Sequence, residues 1–411
     1  LKQSDMVIVG GVDTLNDILM YMCFSKTPAL SATGDCRPFS DRADGTIMGE
    51  GLGMLALRRL EDAERDGDRI YAVIRGIGSS SDGKGTAVYA PKASGQANAL
   101  RRAYESAGYT PHTVELLEAH GTATKAGDLA EFQGAASVFS ESGGNDTQWC
   151  GLGSVKSQIG HTKGAAGAAS LIKVIMALHH KVLPPTIKVE RPNPKLNVES
   201  SPFYLSTETR PWVRGSDHPR RGSVSSFGFG GSNFHVALEE YTGHSGQKDR
   251  FRPSPTELYL VSSNSADSLV STCLTLTDGF SDPNSFQFLA RETQLTFNGE
   301  LPHRLAIVAK DLDDLRASLD AAVKAIKHEP TKAQRSPQGW TYSGPASPDH
   351  DTKLAFLFPG QGSQYIGMGA ELASGFAESQ AIWDEAADLE FELGEKLQEV
   401  VFPAPVFTAE D

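Results

Sequence analysis

Two histidines lie in segments whose composition could support hydrogen-bond chemistry. His120 occurs in LLEAHGTATKAGD and His161 occurs in GSVKSQIGHTKGAAGAA. Each imidazole follows an apolar run and precedes a turn rich in glycine or hydroxyl groups, a layout that directs side chains into a cleft. A lone histidine is more often an ordinary buried or half-exposed residue, so the residues alone leave both interpretations open.

Three more polar side chains lie close to these histidines in the sequence. Lys156, in KSQIGH, is either a surface cation or a cleft residue that orients a histidine and biases its protonation. Thr122 and Thr124 alternate on a turn after a predicted strand, so their side chains face the same side. Their hydroxyls either stabilise that turn or bind the amide groups of a substrate.

A third segment, SSFGFGGSN over 225–233, is rich in glycine. Phe227 and Phe229 alternate with these glycines, which would let the loop move its aromatic rings without steric penalty. Packing of both rings in a core is the alternative.

The three segments together resemble the β-ketoacyl synthase family, the condensing enzymes of fatty acid and polyketide synthases. The resemblance implies the thiolase-like fold, a layered α/β/α sandwich, of which this chain would hold the C-terminal part. In the family a cysteine takes the acyl chain, and a malonyl thioester on a carrier protein loses carbon dioxide to give an attacking enolate. By resemblance, His120 and His161 are catalytic and stabilise the enolate oxygen through N–H donors, and Lys156 orients them.

The resemblance also assigns residues to the substrate. Thr122 and Thr124 are expected to bind the phosphopantetheine arm of the carrier protein, as threonines of the family do. Phe229 is expected to gate the reactive cysteine. One departure lies between the threonines, because the family more often has glycine where this chain has Ala123.

Three further residues are interpreted as supporting groups around the site. Asp128 and Glu131 match acidic positions of the family, although Leu129 and Ala130 depart from its commoner proline-containing pattern. We interpret the two acids as helix N-terminal or supporting groups rather than proton donors. Phe227 matches the first ring of the glycine-rich loop.

None of the four cysteines fits the reactive position. Cys23, Cys36, Cys150 and Cys273 are scattered without CxxC spacing, so neither a zinc site nor a disulfide framework is indicated, and a reducing cytoplasm fits best. None lies in the small, hydroxyl-rich turn that holds the nucleophile of the family. The resemblance would put that cysteine upstream of Leu1, so we expect a fragment that is inactive alone.

The segment after His161 predicts an unusual helix. Residues 164–169 are all glycine or alanine, and apolar residues follow at helical spacing. Small side chains let backbones approach closely, so this helix is expected to be buried on most sides.

The chain divides into three parts by pattern. Residues 1–240 alternate strand-like and helix-like segments and are interpreted as the ketosynthase C-terminal part. A small α/β linker domain is expected over 241–350, with 327–352 as an irregular connection. Residues 351–411 open with LAFLFPGQGSQYIGMG, which resembles the first strand, turn and helix of an acyltransferase. Gln361 would give that domain an oxyanion-hole amide, with a plain β-turn as the alternative.

The composition limits the classes of partner that the chain is expected to bind. The chain has 411 residues and a formal net charge of −13, which argues against a general nucleic-acid binder because phosphate binding needs clustered cations. No apolar stretch reaches the roughly 18 residues of a membrane helix, so no membrane association is predicted. The resemblance implies acyl carrier protein domains, malonyl and acyl thioesters, and a homodimer. It implies no metal, and no cofactor other than the phosphopantetheine of the carrier.

The sequence thus predicts part of a type I multifunctional enzyme, a transferase that condenses acyl and malonyl thioesters in polyketide or fatty acid biosynthesis. KSQIGHT and GFGGSNFHV look similar to the synthases of polyunsaturated fatty acids and enediynes. One alternative is a homologue that only decarboxylates, or that has a scaffolding or chain-length role. Another is a thiolase that acts on coenzyme A thioesters, which the appended acyltransferase opening disfavours.

Overall fold

The computed structural model of the protein describes most of the chain. The described residues are 4–84, 87, 90–144, 146–243, 255–278, 285–345, 355–389 and 396–407. They form two compact units, one made of Leu1–Phe251 with Gly362–Asp411 and the other made of Arg252–Gln361. Between residues 240 and 255 the sequence turns polar, which indicates a domain boundary, and most of this stretch (244–254) lies outside the described residues.

The first unit alternates strands and helices along most of its length. Its elements are β1 (Met6–Asp13), α1 (Ile18–Lys26), β2 (Gly51–Arg58), α2 (Leu60–Asp66), β3 (Val73–Ser81), α3 (Ala93–Ala107), β4 (Leu116–Glu118), α4 (Lys125–Gly143), β5 (Cys150–Gly153), α5 (Lys156–Ile159), α6 (Ala166–His180), β6 (Val182–Leu183), β7 (Phe203–Leu205), β8 (Arg210–Pro211), β9 (Arg221–Gly228) and β10 (Ser232–Glu239). Short 3-10 helices occur at Pro111–Thr113, Lys163–Ala165, Pro194–Leu196 and Val198–Ser200.

A six-stranded sheet in the order β3-β10-β9-β4-β5-β7 forms the centre of this unit. Within it β9, β4, β5 and β7 pair in parallel. Successive residues of β4 point to opposite faces. Leu117 packs in a cluster with Leu100 of α3 and Phe132 of α4, whereas Leu116 packs with Val174 of α6. Helices therefore cover both faces, as the predicted α/β/α layering requires.

The helix after His161 has the predicted burial. No residue of α6 is exposed, and Ser170, Val174 and Leu178 are fully buried. The small residues before it lie against β1, where a Cβ at position 11 would lie only 2.4 Å from the Gly164 carbonyl oxygen. Gly11 therefore allows a close approach that any larger residue would prevent.

The second unit is a small α/β body with its own core. Its elements are β11 (Glu257–Ser263), α7 (Ala266–Asp278), α8 (Ser285–Thr296), β12 (His303–Ala309), α9 (Leu312–His328), β13 (Gln334–Arg335) and β14 (Trp340–Ser343). The antiparallel sheet has the order β11-β12-β14-β13. The apolar face of α9 packs into this core through Leu315, Leu319 and Ile326.

The expectation of an irregular connection over 327–352 is wrong for its described part. Strands β13 and β14 lie within it, and β14 pairs with β12 in the sheet. Trp340 and Tyr342 alternate inward and are buried. The polar composition around them concealed a period-two pattern only four residues long.

The expected strand over LAFLFPG is also absent among the described residues, since 355–360 have no regular structure. Phe356, Leu357 and Phe358 are exposed, because no neighbouring strand pairs with this segment in the described part of the chain. Three helices follow, α10 (Ala370–Gly375), α11 (Ala377–Ala386) and α12 (Leu397–Val401). They pack against Val213, elsewhere in the first unit, through a cluster that includes Ala387 and Phe402.

Within the described ranges, no helix is both long and apolar enough to cross a bilayer.

Candidate active site

The two histidines predicted to act together are neighbours in the structure. Their ring centroids lie 5.2 Å apart with an interplanar angle of 81°. His120 follows β4, and Lys156 begins α5 just after β5. Because β4 and β5 are adjacent parallel strands, their carboxyl ends bring these residues to one edge of the sheet. His161 reaches that edge through backbone bonds, donating to the Ile47 carbonyl at 2.7 Å and accepting from the Gly49 amide at 3.1 Å.

Burial keeps both imidazoles neutral. It lowers the pKa of His161 to about 3, helped by the charges of Lys156 and Lys163. Burial likewise holds the pKa of His120 well below its usual value, again with help from Lys156. A neutral imidazole has one nitrogen that donates and one that accepts.

The environment of His161 selects which nitrogen donates. The backbone amide of Lys163 donates to Nδ1 of His161 at 3.0 Å, so the proton of the neutral ring resides on Nε2. The Nζ of Lys163 is itself anchored, donating to Asn16 Oδ1 at 2.5 Å and to Asp13 Oδ1 at 3.1 Å. In His120, the buried Nδ1 has no hydrogen-bond partner among the described residues. A polar ligand atom between the rings would give it one.

Lys156 is a buried cation, not a surface residue, because only 1% of it is exposed. Burial lowers its pKa, and the nearby Glu118 and Glu131 oppose that shift. Its charge in turn lowers the pKa of both histidines.

Glu131 holds the backbone of the turn over residues 120–124, between β4 and α4, which we call the histidine turn. Its two carboxylate oxygens accept hydrogen bonds from the amides of His120 at 2.7 Å and Gly121 at 2.8 Å. Burial raises its pKa to about 7 against the effect of these bonds.

Asp128 fixes the next part of the same turn. It accepts from the amides of Phe39 at 2.7 Å and Ala123 at 3.0 Å, and burial raises its pKa to about 8. Ala123 has a φ of 59°, a left-handed conformation that costs an alanine about 1 kcal/mol more than a glycine. The structure thus gives a physical reason for the glycine that the family prefers there.

The two threonines face each other at the mouth of this turn. The hydroxyl oxygens of Thr122 and Thr124 lie 2.9 Å apart and share a hydrogen bond, and both residues are partly exposed. Each hydroxyl can still make a further hydrogen bond to a ligand.

The two phenylalanines differ in their surroundings. The ring of Phe227, in β9, lies 5.8 Å from that of His120 and is partly buried. Phe229 occupies the loop between β9 and β10, is 67% exposed, and has its ring 6.1 Å from that of Phe24. The structure therefore brings Phe227, but not Phe229, against the histidine pair.

A buried ion pair supports the edge and was not predicted from the sequence. Glu118 accepts from Lys173 Nζ at 2.7 Å and from the Val155 amide at 2.6 Å. Glu118 is fully buried, and the side chain of Lys173 is 10% exposed. The lysine that interrupts the apolar run LIKVIMAL was the available signal, because a lysine on a buried helix requires a partner.

The cysteines have the character expected of structural residues. Burial raises the pKa of Cys36 to about 11 and that of Cys273 to about 12, and it holds the pKa of Cys150 well above its usual value. Cys36 lies closest to the site, with its sulfur 4.0 Å from the Thr122 carbonyl oxygen. Cys23 is exposed on α1. A thiol with a raised pKa is a poor nucleophile.

Gln361 lies in an exposed turn, apart from any described strand or helix. Among the residues that the structure describes, no group of three or more histidine, cysteine or acidic side chains could hold a metal ion.

Three family models match consecutive parts of the chain. Residues 1–63 match the N-terminal domain of β-ketoacyl synthase, 71–190 match its C-terminal domain, and 192–308 match the ketoacyl-synthetase C-terminal extension. The sequence interpretation had assigned all of 1–240 to the C-terminal part.

Similar proteins are large synthases. The chain is 37% identical to one of the polypeptides of a polyunsaturated fatty acid synthase from a Thraustochytrium species, over 99% of this chain and 15% of that protein. It is 43% identical to polyketide synthase PksL of Bacillus subtilis, over 58% of this chain and 5% of that protein. The chain therefore spans a small part of these relatives.

Solved structures give the same result. The ketosynthase from module 6 of the bacillaene synthase of Bacillus subtilis matches with a TM-score of 0.57 and 35% identity, over 79% of this chain and 56% of that one. An oxazolomycin ketosynthase domain from Streptomyces albus matches with a TM-score of 0.55 and 33% identity, over 78% of this chain and 55% of that one. The fold is thiolase-like, and the chain belongs to the β-ketoacyl synthase family.

Proposed function

We propose that this chain forms a large part of the condensing centre of a type I multifunctional synthase of polyketide or fatty acid biosynthesis. Its reaction is the decarboxylative Claisen condensation of acyl and malonyl thioesters. The observation that carries the proposal is the pair of neutral imidazoles 5.2 Å apart, one of which has Nδ1 occupied by a backbone amide.

The pair suits the charge that this reaction develops. When the malonyl carboxylate leaves as carbon dioxide, the electrons of the broken C–C bond pass to the thioester oxygen. N–H donors of His120 and His161 stabilise that oxygen in a site from which water is largely excluded. The enolate carbon then bonds to the acyl carbonyl carbon, and the sulfur that held the acyl group leaves.

The charged groups keep this pair in one protonation state. Lys156 disfavours imidazolium through its charge, and Glu131 and Asp128 hold the turn that carries His120. We therefore assign Lys156, Asp128 and Glu131 as positioning residues. Phe227 covers the ring of His120 on the side of β9.

Thr122 and Thr124 would hold the phosphopantetheine arm of a carrier protein. Their hydroxyls are partly exposed beside the histidine turn and keep bonding capacity for the amide groups of that arm. When bound, the arm supplies the malonyl thioester. Phe229, exposed in its loop between β9 and β10, would cover the substrate.

The acyl-accepting thiol is the one component that these residues do not supply. The three buried cysteines have raised pKa values, and Cys23 lies on the exposed helix α1. We therefore propose that the isolated chain is inactive in condensation. A decarboxylase or scaffolding homologue is the second candidate, favoured by the same observation.

The rest of the assignment concerns organisation. We propose that residues 1–240 belong to the ketosynthase and that residues 241–350 form a linker domain. Residues 351–411 would be the N-terminal piece of an acyltransferase, in which Gln361 contributes to the oxyanion hole. The support is the motif around Gln361 and the exposed apolar run before it, which requires cover from further protein. The four cysteines form no disulfide with one another, which supports a cytoplasmic location.

We further propose that the chain associates as a homodimer. One face of the β1–β2 pair exposes Ile8, Val12, Leu52 and Met54 side by side. A second copy would remove this apolar face from water. Light scattering at several protein concentrations tests this, and a monomer throughout would contradict it.

The activity proposal is tested in the intact synthase, by carbon dioxide release from a malonyl thioester on a carrier protein. We expect His161→Ala and His120→Ala to lower the rate by about 100- to 1000-fold, the usual cost of losing one such donor. The exposed His328 offers a matched control, and His328→Ala should retain the wild-type rate. Wild-type turnover by His161→Ala would remove this residue from the mechanism.

A further inference from the structure

A second cleft opens at the opposite edge of the six-stranded sheet. It has a volume of about 660 Å³, and Glu115 and Trp149, which directly precede β4 and β5, line it. His120 and Lys156 follow the same two strands, so the cleft and the histidine pair lie at opposite strand ends. The segment around α12 forms another wall through Gln398 and Phe402.

Arg210 lines this cleft and leaves part of its hydrogen-bonding capacity unused. Its Nη1 donates to the carbonyl oxygens of Phe402 at 2.9 Å and Pro403 at 2.7 Å. Its Nε and Nη2 are buried and have no hydrogen-bond partner among the described residues. Those two N–H groups point the same way and form the fork that binds a carboxylate or phosphate through two parallel bonds.

The guanidinium is held in place by the residues around it. It lies 4.8 Å from the centroid of the Tyr204 ring and also interacts with the hydroxyl of that tyrosine, and two backbone carbonyls fix its other edge. A cation–π contact of this kind orders the group without neutralising it. The fork is therefore preorganised for an incoming ligand.

Further unpartnered polar atoms line the same cleft. The indole Nε1 of Trp149 is a donor without a partner among the described residues, and the Oε1 acceptor of Gln398 is likewise unpaired there. The Trp149 ring packs against His112, whose buried Nδ1 also lacks a hydrogen bond within the described ranges. Native structures leave few buried polar groups unpaired, so several in one cleft indicate a missing ligand.

The acidic residues of the cleft leave the charge of Arg210 unbalanced. Glu115 accepts from Trp212 Nε1 at 2.9 Å and lies 3.6 Å from Arg214. Asp146 lies 3.5 Å from His112 and is largely exposed. Glu399, near Lys396 on the wall around α12, is exposed as well. No ion pair to Arg210 forms within the described part of the chain.

We propose that this cleft binds a small organic ligand through a carboxylate or phosphate group. Arg210 takes two oxygens of that group through Nε and Nη2, and Trp149 Nε1 donates to the same ligand. The remaining space is bounded by Tyr204, Trp212 and Phe402, which would contact an apolar or aromatic body. The site is separate from the histidine pair and does not depend on the condensation proposal.

The test is direct binding to the full 411-residue chain. Acetate and inorganic phosphate are titrated separately at constant ionic strength, with sodium chloride as the reference salt. Binding is followed by tryptophan fluorescence, since Trp149 and Trp212 line the cleft, and by calorimetry. We expect saturable binding of at least one anion, and the tighter of the two identifies the ligand group.

Variants separate the fork from charge alone. Arg210→Gln should weaken binding at least about 10-fold, and Arg210→Lys, which keeps the charge but loses the fork, should weaken it by a similar factor. Trp149→Phe should weaken it by roughly 3- to 10-fold through one lost hydrogen bond. Arg42→Gln, at an exposed arginine elsewhere, is the matched control and should bind as the wild type does.

Two outcomes overturn the proposal. One is that neither anion binds the wild type saturably. The other is that Arg42→Gln loses as much affinity as Arg210→Gln, which would indicate only a general charge effect. Circular dichroism of each variant without anion establishes that it is folded, and Trp149→Phe keeps the test valid if Arg210→Gln is not.

Discussion

The cations at the two ends of β4 and β5 differ in whether they have acidic neighbours. At the carboxyl end, the buried cations Lys156 and Lys173 lie among Glu118, Glu131 and Asp128, whose oxygens are committed to amides or to lysine. At the amino end, Arg210 has no ionic partner in the described structure and keeps half of its guanidinium unbonded. In the two proposals above, the first arrangement serves a charge that develops during a reaction, and the second serves a ligand that arrives charged.

The most direct test of this difference is to remove one cation from each end of the strands. Lys173→Met leaves Glu118 buried without its partner, and we expect a loss of about 3–5 kcal/mol in the free energy of unfolding. Arg210→Met breaks no ion pair in the described structure and should lose less, about 1–3 kcal/mol, from its bonds to two carbonyls. Urea unfolding measures both. Equal losses would show that the two ends do not differ in this respect.

The pH dependence of stability tests the burial of His161 at the carboxyl end of the strands. The pKa of His161 is about 3 in the folded chain and near 6.5 in the unfolded chain, so falling pH protonates the unfolded chain first. Between pH 7 and pH 5 the wild type should therefore lose roughly 2 kcal/mol more stability than His161→Gln does. Denaturant unfolding at both pH values checks this. His328→Gln should behave like the wild type, and a His161→Gln profile parallel to the wild type would mean that the ring titrates normally.

Substrate binding at the same end is tested through the threonine pair. Thr122→Val keeps the shape of the side chain and removes its hydroxyl, and we expect the KM for a malonyl carrier protein to rise by roughly 5- to 10-fold. The kcat should change little, because the hydroxyl does not contact the histidines in the structure. Thr122→Ser restores the hydroxyl and should restore the KM. A fall in kcat alone would assign the residue to the chemical step instead.

The smallest expected effect concerns the backbone of the histidine turn. Ala123→Gly removes the cost of a left-handed alanine and should stabilise the chain by up to about 1 kcal/mol. Ala135→Gly, in the middle of α4, is the matched control and should destabilise by about 1 kcal/mol or more. Thermal unfolding of both variants measures the difference. Destabilisation by Ala123→Gly would mean that its methyl packing outweighs the strain.

Local patterns in the sequence predicted the elements that carry the histidines. The apolar run of β4 and the buried helix α6 both follow from the pattern of apolar residues, because burial determines each of them. Failures came where partners are distant in the chain. The strand β14 is recognised only by its pairing with β12, and the segment 355–360 has strand-like composition but no described neighbour to pair with.

The same distinction between local patterns and distant partners applies to the candidate site. The residues of the two histidine segments could be named because they share short motifs. The Lys163 amide that blocks Nδ1 of His161 carries no side-chain signal, and the cleft around Arg210 joins residues from 112 to 404, which no local pattern links. Long-range contacts of this kind depend on how the layers pack, and composition alone does not specify that packing.

The close approach at Gly11 has a consequence for genetics. A side chain there would push β1 away from the turn that contains Lys163, and the nitrogen of His161 that faces this turn would lose its fixed donor. A random screen for inactive but soluble alleles should therefore recover substitutions at Gly11, a position remote in sequence from every catalytic side chain. Gly11, which has no side chain, would then help to determine which nitrogen of His161 carries the proton.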